Sequence, residues 1–149
     1  MMGDKTVMMR NAALLGAVAF VGATFLVFSL NKQLFPVAAV LSGIFGLLGV
    51  MIVVLTLRLR EPRLQRTFSL VSGISAAGIP VSVVLHNLVY ALCIAFFGEG
   101  FWGGSDEPFF FIMAILVFPA LFVTGIVGNS VLLIRSRIKR STATRAENS

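Results

Sequence analysis

Charged side chains in this sequence are confined to a few short segments, and four long stretches between them carry none. The uncharged stretches are 11–30, 33–57, 67–98 and 108–134. As a helix, each can cross a hydrocarbon layer of roughly 30 Å. A closed β-barrel would instead require strands of alternating polarity, which these stretches lack. The sequence therefore predicts an all-α integral membrane protein, a four-transmembrane-helix antiparallel bundle.

The overall composition favours the same class. The chain has 149 residues, of which 58% are hydrophobic and only 12% are charged, against about 25% charged in soluble domains. A soluble protein of this length could not bury so much apolar surface. We expect a single four-helix domain over 1–140, with helices at about 11–31, 35–57, 68–97 and 108–134. The polar segment 141–149 is expected to be a disordered cytoplasmic tail.

The basic residues predict how the bundle is oriented. Eleven of the twelve lie before the first helix, between the second and third, or after the fourth, whereas Lys32 alone lies between the first and second. Because cytoplasmic loops collect Lys and Arg, both termini and the 58–66 loop are expected in the cytoplasm. The 98–107 loop is then outside, and the location is the cell (plasma) membrane. Anionic lipid headgroups would bind the basic face, and nothing favours nucleic acid.

The third helix is longer than a bilayer requires. Its uncharged stretch, 67–98, would measure about 48 Å as one helix. Gly78 and Pro80 mark the expected point of a kink, because Pro80 has no N–H for the carbonyl of Ala76 and its ring collides with that turn. In the fourth helix, Ser105 or Asp106 is expected to cap the N-terminus ahead of Pro108.

Small residues recur at helical spacing in the predicted helices, and they are dense in the second. Close backbone approach through such residues supplies much of the packing energy between helices in lipid. Two interpretations stay open: packing within one chain, or a homo-oligomer contact through the second helix. The residues concerned in that helix are Ala39, Ser42, Gly43, Gly46 and Gly49.

A polar stripe crosses the third helix. His86 lies about 16 Å from the outer end of that stretch, hence near the membrane midplane. Ser82 and Tyr90 share its face, and Asn87 lies about 100° round. Ionisable residues inside a membrane often handle protons or ligands. The alternative is that these groups only hydrogen-bond neighbouring helices.

Two further sets of residues are candidates for a role. Asn129 and Ser130, near the inner end of the fourth helix, form a polar pair expected level with Ser72 and Ser75. They are either a small vestibule or part of a helix contact. Phe101 and Trp102, in the glycine-rich outer loop, suit docking of another protein.

Several chemistries lack the residues they need. The chain has one His and one Cys, too few for a zinc site, and no carboxylate lies inside a predicted span. Nucleophile triads, phosphate-binding glycine loops and metalloprotease motifs are missing from the sequence. We therefore expect no enzymatic activity, no catalytic residues, no metal and no cofactor.

Three functions remain. The first is an accessory or structural subunit that packs in a larger membrane complex or forms a homo-oligomer. The second is a small oligomeric channel or transporter with a polar path along the third helix. The third is a redox subunit that binds a cofactor through His86.

Overall fold

The protein is an all-helical bundle in a computed structural model that describes residues 2–30, 32–103 and 107–147. Helix α1 is Met2–Leu30, followed by a 3₁₀ turn at Lys32–Leu34; α2 is Phe35–Arg58 and α3 is Arg63–Phe97. Helix α4 has three consecutive segments: Pro108–Ile112, a π-helical stretch Met113–Val117, and Phe118–Glu147. The described residues contain no strand.

The prediction of four apolar helices is confirmed. All four are long and apolar enough to cross a membrane, over Lys5–Leu30, Phe35–Arg58, Arg63–Phe97 and Pro108–Ser136. Large apolar side chains are exposed on every helix, whereas a soluble protein rarely shows apolar patches beyond a few hundred Å². These surfaces therefore suit an apolar solvent.

Each helix packs against the next one in the sequence, so that α1, α2, α3 and α4 adjoin in that order. A small core joins all four helices, and at its centre the rings of Phe45 on α2 and Phe122 on α4 meet edge to face, with centroids 5.3 Å apart. We name the two ends of the bundle by one residue each. The Arg10 end holds the α2–α3 turn, and the Glu107 end holds the α1–α2 and α3–α4 connections.

Helices α2 and α3 approach closely because glycines leave room for backbone. A Cβ atom on Gly49 would lie 2.6 Å from the backbone N of Ala77 and 2.7 Å from the carbonyl O of Gly73. A Cβ on Gly46 would lie 2.7 Å from Cγ of Pro80. These two glycines therefore serve packing within the chain. Gly43 differs, since its Cβ would meet no atom of the described residues within 4 Å.

Helix α3 is one continuous helix of 35 residues that includes Pro80. It is therefore not broken at Gly78–Pro80, although a kink there stays a prediction. The pyrrolidine ring sits where Gly46 lacks a side chain, and Gly78 in turn faces the ring of Phe118, which would lie 2.7 Å from an added Cβ. The Gly78–Pro80 segment of α3 thus packs closely against both α2 and α4.

The extra length of α3 lies beyond the Glu107 end. His86 is level with Glu107, the residue before α4, and from there α3 continues to Phe97, about 16 Å farther. The connection then folds back along this projecting segment: Phe101 stacks on Phe97 at 4.9 Å, and Trp102 stacks on Tyr90 at 6.4 Å. Gly98 ends the helix with a φ of 88°, a backbone conformation that glycine adopts without strain.

Two elements begin or end away from their expected bounds. Helix α1 begins at Met2 rather than near residue 11, and α4 continues through Glu147 rather than ending near residue 134. The expected tail over 141–149 therefore begins within a helix, and residues 148 and 149 lie outside the described residues.

An ion pair ties α1 to the α2–α3 turn at the Arg10 end. The guanidinium of Arg10 donates to the carboxylate of Glu61, and its Nη2 donates to Oδ1 of Asn11 at 3.3 Å. The side chain of Arg10 is 1% exposed, and its Nε is buried with no hydrogen-bond partner among the residues that the structure describes. A buried guanidinium depends on its partner carboxylate, so Glu61 holds the N-terminal part of α1 against the α2–α3 turn.

Candidate functional site

Glu107 caps the N-terminus of α4 with its side chain. Its Oε1 accepts a hydrogen bond from the backbone N of Phe109 at 2.7 Å, and Oε2 accepts one from the backbone N of Phe110 at 3.0 Å. Early N–H groups of a helix have no partner inside it, and a negative charge there interacts favourably with the helix dipole. The cap is therefore Glu107, in place of Ser105 or Asp106, which lie outside the described residues.

His86 is held by the same residue. Its Nδ1 lies 3.1 Å from the carbonyl O of Glu107 and 3.2 Å from Oε2 of its carboxylate. A carbonyl oxygen can only accept a hydrogen bond. In the contact with the carbonyl O of Glu107, Nδ1 of His86 therefore carries the hydrogen and donates it. The side chains are 14% and 4% exposed, respectively. The structure thus places a carboxylate and an imidazole together, level with the start of α4; the depth of His86 in a membrane stays a prediction.

Beside this pair lies a cavity of about 320 Å³, which we call the His86 cavity. The ring of Phe111 forms one wall, tilted 49° to the imidazole with centroids 5.6 Å apart. The π-helical stretch of α4 supplies another part of the wall. π-Helical turns within α-helices are frequent at functional sites. The residues that line the cavity are Phe35, Val83, His86, Asn87, Phe111, Ala114 and Ile115.

The remaining residues of the predicted polar stripe do not form a continuous polar surface. Ser82 is buried, and Asn87 is exposed, its Nδ2 donating to the carbonyl O of Val83 at 2.8 Å in its own helix. Tyr90 lies farther out, against Trp102. Of the stripe, only His86 and Asn87 line the His86 cavity.

The predicted docking loop covers the projecting end of α3. Phe101 packs edge to face on Trp102, with centroids 4.9 Å apart, and is exposed. Trp102 is half-buried, and its Nε1 has no hydrogen-bond partner among the described residues. Together with the end of α3, the two rings make an aromatic surface.

Asn129 and Ser130 have different surroundings. Asn129 is buried; its Oδ1 accepts from the hydroxyl of Ser69 at 3.1 Å, and its Nδ2 donates to the carbonyl O of Gly125 at 3.1 Å. Ser130 is exposed and donates to Ile126 in its own helix. Both also line a cavity of about 250 Å³ between α1 and α4. Asn129 therefore joins α3 to α4, one turn from the expected Ser72.

Sequence reasoning missed Glu107 and Arg10 as buried groups, and Glu61 as the half-buried partner of Arg10. Each lies at a predicted helix boundary, where a charge is ordinarily exposed to water. One signal was available for Glu107, because a carboxylate directly before a proline at the start of a helix can cap that helix. Nothing in the sequence indicates which residue faces it across the bundle.

Among the described residues, no group of three or more His, Cys, Asp or Glu side chains is placed to hold a metal ion. No protein-family model matches the chain, and comparisons with curated proteins and with solved structures find no match.

Proposed function

We propose that the protein is an accessory subunit of a membrane assembly, which works by packing against another membrane protein. In this proposal it crosses the cell membrane four times, with both termini and the α2–α3 turn in the cytoplasm. The Glu107 end then faces outward. The unequal distribution of basic residues supports this orientation.

The observation that carries the proposal is the projecting segment of α3. The bundle from Arg10 to Leu30 measures about 30 Å, enough for the hydrocarbon layer, and α3 continues about 16 Å beyond His86. On this segment Leu88, Leu92, Phe96 and Phe97 are exposed, with Phe96 exposed to 78%. If the hydrocarbon layer covers α1 from Arg10 to Leu30, this apolar surface would lie outside it. Such surfaces mark contacts with other proteins.

The alternatives draw less support from the contacts. In a channel or transporter, the polar stripe of α3 would line a path, but Ser82 is buried and Asn87 and Tyr90 point to different surroundings. A redox cofactor bound through His86 would need a second axial ligand from another chain. We include no enzymatic activity, catalytic residue or metal in the proposal.

A purification with paired variants tests the proposal. The chain is extracted from its native membrane in a mild detergent, and its complexes are weighed by native mass spectrometry. We expect a stoichiometric partner with the wild type. The variant Leu92→Ser/Phe96→Ser should lose most of that partner, because two apolar anchors on the projecting segment are removed.

The matched control is Leu116→Ser/Val123→Ser. It changes two exposed apolar residues of α4, away from the projecting segment of α3. It should keep the partner. Recovery of the wild type with lipid alone would contradict the proposal. A complex of several copies of this chain and nothing else would support the homo-oligomer in its place.

A further inference from the structure

The His86 cavity adjoins one apolar groove, and that groove adjoins a second. The first groove, about 330 Å³, shares Phe35 and Val83 with the His86 cavity. The second groove, about 370 Å³, shares Gly43, Pro80 and Val84 with the first. Cavities that share side chains adjoin one another. Together they form a furrow that runs along α2 and α3 from the Glu107 end toward the middle of the bundle.

Polarity falls along the furrow. The His86 cavity has an imidazole and an amide in its wall, the first groove has the hydroxyls of Thr24 and Ser42, and the second is lined by apolar side chains and glycines alone. A molecule that matches this profile has a polar head at one end and a long apolar chain at the other.

We propose that this furrow binds a quinone lipid, with its ring in the His86 cavity and its isoprenoid or alkyl chain in the two grooves. The inference does not depend on the proposed function. A ligand that reaches the furrow from among lipid-facing side chains has to be soluble in the bilayer, and a quinone meets that requirement.

The walls of the His86 cavity favour a flat, uncharged head. Phe35 and Phe111 present aromatic side chains, and aromatic rings pack well against another planar ring. The carboxylate of Glu107 next to His86 disfavours an anionic head such as phosphate or a fatty acid, since no Lys or Arg is among the residues that line the cavity. A quinone ring is planar and neutral.

Asn87 supplies a hydrogen bond for a ring carbonyl. The amide nitrogen carries two hydrogens, and one of them is bonded to the carbonyl O of Val83. The second can be donated to a quinone oxygen without breaking an existing bond. His86 meanwhile forms a fixed part of the wall, because Glu107 holds its Nδ1.

Binding can be measured through the single tryptophan of the chain. Trp102 stacks on Tyr90, one turn along α3 from His86, and quinones quench indole fluorescence. The purified full-length protein in detergent is titrated with a benzoquinone that carries a decyl chain. We expect saturable quenching, and at least tenfold weaker binding for the same ring without the chain. Decanol, which has the chain but no ring, should displace the quinone only at a concentration at least tenfold higher than that of the quinone.

Gly43→Leu is the main test variant. The position faces open space and lines both grooves, so a leucine fills the furrow without a clash. We expect a Kd at least tenfold higher. Gly22→Leu is the matched control, because Gly22 also faces open space but is not among the residues that line the furrow; its Kd should equal that of the wild type.

Asn87→Leu probes the head independently. The loss of one hydrogen bond should raise the Kd about threefold to tenfold. Circular dichroism and gel filtration confirm that each variant keeps its helices and its size. Equal affinity for the wild type and Gly43→Leu, or displacement of the quinone by decanol at matching concentration, would overturn the proposal.

Discussion

At the scale of single residues, Glu107 connects two helices through one side chain. Its carboxylate accepts from the first N–H groups of α4 and also contacts Nδ1 of His86 on α3. These contacts lie in a site where the Glu107 side chain is 4% exposed. Removal of one partner from a buried charged hydrogen bond leaves the other without compensation. The start of α4 and its position against α3 therefore depend on the same group.

Replacement of Glu107 by alanine should lower the free energy of unfolding by about 1–3 kcal/mol, since both the cap and the contact with His86 are lost. Glu107→Gln should lose less, because the amide oxygen still accepts from the backbone. Thermal unfolding in one detergent measures both variants. Glu99→Ala, which removes an exposed carboxylate on the same connection, should change little; an equal loss for it and Glu107→Ala would refute the assignment.

At the scale of helices, the positions of glycines in α2 determine where α2 and α3 can approach closely. Gly49 faces backbone atoms of α3, and Gly46 faces the ring of Pro80. On the exposed side of α2, a Cβ added at Gly43 would have no neighbour within 4 Å in the described part of the chain. Position on the helix, more than the small-residue pattern itself, decides which glycine contributes to stability.

Gly49→Ala should destabilise the protein by about 1–3 kcal/mol, because the added methyl group would force α2 and α3 apart. Gly22→Ala, at a position with open space, should be neutral or stabilising by up to about 1 kcal/mol, since alanine favours helix. Unfolding midpoints in the same detergent distinguish the two. A stabilising Gly49→Ala would show that the helices separate easily at this contact.

The helices could be predicted from sequence more completely than the site. Runs without charge mark four helices because a charge is costly inside a membrane, whatever the neighbours are. How far each helix extends relative to its neighbours is harder to predict from the sequence. The sequence does not show that α3 extends past His86 and the start of α4, because this extension depends on how Pro80 fits Gly46 and how Phe101 and Trp102 fold back. No local sequence pattern indicates how the helices are positioned relative to one another along the bundle axis.

At the scale of the whole molecule, the two ends differ in charge and in shape. The Arg10 end has the α2–α3 turn with its arginines, whereas the Glu107 end has the projecting segment of α3 and its aromatic cover. If one end faces the cytoplasm, the other faces the opposite aqueous phase, and the difference in positive charge favours the Arg10 end as the inner one.

Orientation can be tested with single cysteines in a Cys93→Ser background. Gly100→Cys, on the α3–α4 connection, should react with a membrane-impermeant maleimide in intact cells. Arg60→Cys, on the α2–α3 turn, should react only after permeabilisation, because both positions are exposed but lie at opposite ends. The reverse pattern would invert the proposed orientation, and equal labelling of both positions in intact cells would contradict a single one.

The pair formed by Arg10 and Glu61 bears on the order in which the chain is made. The two residues are 51 positions apart, and a ribosome synthesises Arg10 well before its partner. In the proposed membrane topology, the guanidinium would stay hydrated until α2 has been inserted and the following turn has been synthesised. Only then can the start of α1 become dehydrated against the rest of the protein. We expect the start of α1 to remain at the membrane surface until Glu61 has been synthesised. The ion pair between Arg10 and Glu61 would then let α1 pack fully against the other helices.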